Sequence, residues 1–194
     1  HSEDGDIHML VHQFSTRQRL RNANGHADNH VMQIGGRWGF TADQPDLGNL
    51  FRQMDSWLMA IIEDEIELDP VLKTVRNKPP ALQDSCWDNT GSAPLLIEEE
   101  QSYAGSSRCN ELYPAYQTPR QVAGAPLAND IVSCQLRSVN PADYVVTISE
   151  EQITQLREVF AGGVCDWSRG DISAARHQGT WTSFGPSSIN RLYE

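Results

Sequence analysis

The chain has 194 residues, 39% of them hydrophobic, and sets 15 Lys and Arg against 26 Asp and Glu for a formal charge of −11. That length encloses one full core or a large part of a bigger one. The charge repels phosphate backbones and argues against a nucleic-acid partner. The longest apolar run, Trp57 to Ile62, falls far short of the ~20 residues of a membrane-spanning helix. The first residues, HSEDGDIH, lack the basic and apolar regions of a targeting segment, so the chain reads as mature or cut.

GDIHMLVHQFSTRQRL has helical spacing, with Ile7, Leu10, Val11 and Phe14 at i, i+3, i+4 and i+7. Asp4 or Asp6 is placed to cap this helix, and Gly25 in NANG supplies the left-handed residue that ends it. HVMQIGG reads as a short strand from His30 to Ile34, and RWGFTADQPD as a loop. Asp46 is predicted to cap the strongest helix, with a stripe running through Leu47, Leu50, Phe51, Met54, Trp57, Leu58, Ile61 and Ile62. That stripe should bury Met54, Trp57 and Ile61 against a sheet. Glu63, Asp64, Glu65 and Glu67 suit the negative end of a helix poorly and form a solvated exit, which Pro70 keeps short.

From Asn77 to Pro126, repeated prolines predict an irregular region tied down by cysteines rather than by a sheet. Regular structure returns with DIVSCQL and DYVVTI. Ser149 and Gln152 then make a capping box, with Ile148 and Ile153 as its staple, for a short helix near 149–161 that Gly162 and Gly163 stop. The tail VCDWSRGDISAARHQGTWTSFGPS is aromatic and Gly-rich without periodicity. Two domains are expected, residues 1–76 (helix, strand, long helix) and residues 77–194. Helix–strand–loop–long helix is the pattern of the last crossover of an α/β sheet. One strand makes no sheet, so either the other strands lie in another polypeptide or the fold is a different one.

His8 and His12 share a helix face, which admits a metal pair, an acid–base device or the polar rim of a packed helix. Met9 stands where a zincin motif needs Glu, and no third ligand is apparent, so no metal and no cofactor is predicted. His8 is the preferred base, because Asp6 and the helix start lie beside it and a helix N-terminus favours neutral imidazole. His26 suits a helix C-terminus instead, and His177 has no motif around it. Trp38, Trp167, Trp181 and Phe184 either line a carbohydrate or aromatic subsite or pack on a surface. G-x-S-x-G is missing, so the chain itself offers no convincing nucleophile. Cys86, Cys109, Cys134 and Cys165 lack metal spacing and read as two disulfides of an exported protein. Sequence leaves three connectivities, the nearest-neighbour one among them.

FSTRQRLRNANGHADNHVMQIGG and LANDIVSCQLRSVNPADYVVTISEEQITQLREVFAGGVCDWS resemble the C-terminal half of a tannase-like family of bacterial proteins of largely undefined function. RCNELYPAYQTPRQVAGAPLANDIVSC is more distantly similar to the closing segment of tannases and feruloyl esterases. The resemblance implies the C-terminal portion of an α/β-hydrolase fold: a helix after strand seven, strand eight at His30–Ile34 and the last helix from Asp46. An upstream chain of the same precursor would complete the fold and carry the nucleophile Ser. It further implies a secreted or periplasmic serine hydrolase that cleaves a small ester, with His8 and Asp6 as catalytic residues and Trp38 and Trp181 at the substrate. The loop after the strand departs from the tannase pattern, with neither His nor Cys in IGGRWGFTADQPD. The closing segment implies pairing of Cys109 with Cys134, leaving Cys86 to Cys165. A non-catalytic accessory subunit with a binding tail is the other class of function left open.

Overall fold

Helix α1 (Val11–Asn24) ends as predicted at Gly25, whose φ of 80° lets its N–H reach the carbonyl of Arg21. The structure is a computed structural model that describes residues 9–39 and 45–172. The expected cap residues Asp4 and Asp6, with His8, Trp181 and Phe184, lie outside the described residues. Two compact units are present, His1–Asn129 and Asp130–Glu194.

In the first unit, β1 (Gln33–Ile34) is followed by α2 (Pro45–Glu63) and α3 (Pro70–Arg76). Then come β2 (Ser85–Asp88), β3 (Leu95–Glu98), α4 (Arg108–Leu112) and α5 (Pro119–Val122). The three strands form one sheet in the order β1-β2-β3, parallel between β1 and β2 and antiparallel between β2 and β3. β1–α2–α3–β2 is therefore the crossover expected of an α/β chain. The prediction of an irregular region without a sheet fails here. SCWD and LLIE pair through four residues each, and the prolines fall between and beyond them. Pro70 does not stop a helix but starts one, because an N1 position needs no N–H and the Asp69 carboxylate caps the N–H groups of Val71 and Leu72. β1 is shorter than the predicted strand, since Met32 donates its N–H to the Asp84 carboxylate (2.9 Å) rather than to a strand.

The core of this unit gathers Leu10, the cap residue before α1, and Phe14 of α1 with Met32, and Ile34, Tyr103, Tyr113 and Leu127 pack against them. Phe14 and Tyr103 meet edge to face with ring centroids 5.9 Å apart. Asp46 is buried in the first turn of α2 rather than at its cap, and its carboxylate accepts the Arg37 N–H at 2.8 Å. Of the predicted α2 stripe, Trp57 is buried at 6% exposure, with its Nε1–H on the Thr74 carbonyl (2.8 Å), and Ile61 is half-buried. Met54, expected in the core, is 41% exposed; Leu58, Phe51 and Ile62 stand out further at 53, 58 and 73%.

The second unit holds β4 (Cys134–Arg137), a 3-10 turn (Pro141–Asp143), α6 (Glu150–Val159) and β5 (Val164–Asp171). β4 and β5 pair antiparallel with a bulge after Cys134. The capping box forms as predicted: Ser149 Oγ accepts the Gln152 N–H, and the Gln152 side chain accepts the Ser149 N–H. DYVVTI makes no strand; Val145 and Val146 are exposed.

Both disulfides exist, but their pairing corrects the one implied by the tannase segment. Cys86 joins Cys109 and Cys134 joins Cys165. The Glu99 carboxylate, just past β3, accepts the Cys109 N–H at 2.9 Å and so brings the start of α4 over Cys86 on the middle strand. Cys134 and Cys165 lie on facing strands. Each bridge closes within its own unit.

Candidate functional site

Arg17 projects from the buried face of α1 and is 4% exposed. Its guanidinium donates to both Asp84 oxygens (2.6 and 2.7 Å), to the Gln101 carbonyl (2.8 Å) and, through Nε, to His30 Nδ1 (3.2 Å). Asp84 also accepts the N–H groups of Met32 and Gln101 (2.9 and 3.1 Å). Burial raises the Asp84 pKa, but the hydrogen bonds from Arg17, Met32 and Gln101 and the charge of Arg17 outweigh it, and the net shift is downward. With each oxygen accepting twice, this carboxylate has no capacity left for a proton in transit. It is a clasp between α1 and the sheet. His30 is held below its ordinary value by burial first and by the Arg17 charge second, against the opposing charge of Asp84. Because Nδ1 accepts from Arg17, the neutral ring carries its proton on Nε2. It is thus a hydrogen-bond donor, and not a base, toward anything that Nε2 meets.

The C-terminal ends of the parallel strands form the second feature, the position where open α/β sheets bind ligands. Gly35 follows β1 with φ of 73°, and a Cβ there would run into the Tyr113 hydroxyl. Tyr113 donates that hydroxyl to the Trp87 carbonyl at 2.6 Å. Asn89 Nδ2 donates to the Gly35 carbonyl (2.8 Å) and to Tyr113 Oη (3.3 Å). At Gly36 a Cβ would lie 2.5 Å from the Trp38 ring, so the paired glycines let two aromatics close over the strand end. Trp38, predicted at the substrate, is 42% exposed here.

Two clefts meet at His30. A polar one of about 730 Å³ is lined by Arg17, Arg21, His26, Lys78 and Glu98 among others. An apolar one of about 710 Å³ runs along β1 and takes Met9, Leu10, His12 and Trp38 into its wall together with Leu50 and Met54 of α2. His30 lines both. The predicted catalytic pair His8 and Asp6 lies outside the described residues, although Met9, the next residue, faces the apolar cleft beside His12. His26 sits past the cap of α1, its Nδ1 accepting the Asp28 N–H at 3.3 Å. Among the described residues no cluster of three His, Cys, Asp or Glu is placed to hold a metal. Sequence reasoning missed Arg17, Asp84 and Tyr113. The available signal was a cation at position 17, three residues after Phe14 and therefore on the apolar face of α1.

A family profile, that of the tannase-like family of unknown function DUF6351, matches residues 1–176. The chain is mixed helix and strand with two disulfides, and the family match suggests an α/β-hydrolase-like fold. The chain belongs to that tannase-like family. No curated protein and no solved structure matches it significantly. Among the described residues no helix is long and apolar enough to cross a membrane, and the two disulfides are consistent with an extracellular or periplasmic location.

Proposed function

We propose that this chain is the closing part of a secreted or periplasmic serine hydrolase that cleaves esters through an acyl-enzyme. Tannase-like membership supports hydrolysis. The observation that carries the placement of the site is the parallel pair β1–β2, whose C-terminal end gathers Gly35, Gly36, Trp38 and Tyr113 beside the cleft that Met9 lines. In this reading residues 1–76 belong to the hydrolase core, and an upstream segment supplies the remaining strands, the nucleophile Ser and its oxyanion hole. The Ser oxygen attacks the ester carbonyl while His8, oriented by Asp6, takes its proton and returns it to the leaving alcohol. Water then hydrolyses the acyl-enzyme, with His8 again as base. Trp38 and Trp181 flank the substrate. His12, the other histidine of the first helix and a wall residue of the apolar cleft, is the internal control.

The test is labelling of the precursor with a fluorophosphonate, followed by ester turnover in His8→Ala and His12→Ala. Label on an upstream serine and a loss of about three orders of magnitude or more in His8→Ala alone are expected. Loss in His12→Ala alone would move the role to that residue. No label on any serine would sink the hydrolase reading in favour of an accessory binding subunit.

A further inference from the structure

Of the two tryptophans assigned to the substrate, Trp38 lies among the described residues, on the wall of the apolar cleft. At 42% exposure its side chain has limited packing of its own. The backbone before it is what holds it in place. The Arg37 N–H is tied to the buried Asp46 carboxylate at 2.8 Å. Two residues earlier, the Gly35 carbonyl accepts from Asn89 Nδ2 at 2.8 Å, and the Tyr113 phenol occupies the place a Cβ of Gly35 would take. Gly36 is therefore strung between two anchored residues. The Trp38 ring folds back over it, into the space that any larger residue at position 36 would fill.

The Gly35 anchor is itself fixed from α4. Tyr113 donates its N–H to the Cys109 carbonyl at 2.9 Å, so its ring stands one turn past the bridge that joins Cys109 to Cys86 of β2. Both cysteines are fully buried. Arg108 adds an ion pair to Asp88 at the end of the same strand, at 3.2 Å. The hydroxyl then reaches back to β2: it donates to the Trp87 carbonyl at 2.6 Å and accepts from Asn89 at 3.3 Å. A phenol that merely filled space would need one partner at most, whereas this one uses its donor and an acceptor site together. Tyr113 and Asn89 thus link α4, the end of β2 and the turn after β1.

We infer that Tyr113 and Asn89 are positioning residues for Trp38: they fix the turn after β1 so that the indole stands at the cleft wall, and so set the affinity for the part of an ester that meets it. This rests on the reading that Trp38 flanks the substrate of a hydrolase. Neither residue touches the reacting atoms. Loss of either should therefore weaken binding and leave the chemical step in place.

The test is turnover of p-nitrophenyl acetate by the precursor, with hydrogen exchange at the Arg37 amide as a second readout. Tyr113→Phe keeps the ring and removes the hydroxyl. Asn89→Ala trims an exposed side chain, so that variant folds even if the first does not. Each should raise KM about three- to tenfold with kcat within about twofold of the parent, and each should speed exchange at Arg37. In a Trp38→Ala background neither should raise KM further, because the effect runs through the indole. An unchanged KM, a fall in kcat in its place, unmoved exchange at Arg37, or an effect that adds in full to Trp38→Ala would each overturn the positioning role and leave the hydrolase reading standing. A precursor that hydrolyses no ester and takes no fluorophosphonate would remove that reading, and the role with it.

Discussion

Helices α1 and α2 invert the usual relation between an apolar stripe and burial. α2 has the longer and cleaner stripe, yet of that stripe only Trp57 is buried, and Phe51, Leu58 and Ile62 stand in solvent. α1 carries three arginines and few apolar residues, yet it buries Val11, Phe14, Ser15 and Arg17. Periodicity says which face of a helix will be covered once a partner is there; it does not supply the partner. For α1 the partner is the start of the sheet, reached through Asp84 and Gln101. The cover for α2 is not among the described residues.

The sharpest way to break this comparison is at Arg17. Arg17→Met leaves the buried Asp84 carboxylate without its cation, and should cost about 3–5 kcal/mol in urea unfolding of the chain. Adding Asp84→Leu should restore little, because the N–H groups of Met32 and Gln101 then lose their acceptor. A loss below about 1 kcal/mol would show that α1 is held by Leu10 and Phe14 alone and that the polar clasp is incidental.

A smaller effect tests the same clasp through pH. His30 has a folded pKa below its ordinary 6.5, set by burial and then by Arg17, so the unfolded chain binds more protons there than the folded one. Stability from this site is therefore complete above 6.5 and falls as pH drops below it. Asp84, with a depressed folded pKa, contributes stability above its ordinary 3.8 that is lost only as pH falls through the lower folded value. The two windows are separate. Urea midpoints of the parent should decline just below pH 6.5, and His30→Gln should flatten that decline without moving the steeper acid transition. An unchanged slope in His30→Gln would remove His30 from the clasp.

Legibility follows the range of the forces involved. The Gly25 stop and the Ser149–Gln152 box were readable, because both are settled by a handful of neighbouring residues. The start of α3 was misjudged at Pro70 for want of the cap at Asp69, two letters that have to be read together. β2 and β3 were hidden because a four-residue strand has too few letters for alternation to outweigh nearby prolines; pairing across the sheet decides it. The cysteine pairing was taken from a resemblance, whereas the pairing found follows the chain path into two units. At the site, Trp38 was legible as an exposed aromatic after glycines, but Arg17 and Asp84, 67 residues apart, have meaning only in the fold.

The smallest predicted effect is the one that separates the two helices most directly. Phe51→Ser and Ile62→Ser each delete a large apolar side chain, a change that in a closed core costs several kcal/mol. At 58 and 73% exposure these side chains have little contact to lose, so the chain alone should change by less than about 0.5 kcal/mol in urea unfolding. Paired with Phe14→Ser on α1, which should be strongly destabilising at 2% exposure, the experiment compares similar deletions on two faces of opposite burial. Should Phe51→Ser or Ile62→Ser cost more than about 1 kcal/mol in the chain alone, the face of α2 is already covered within this polypeptide. In that event the comparison between the helices collapses.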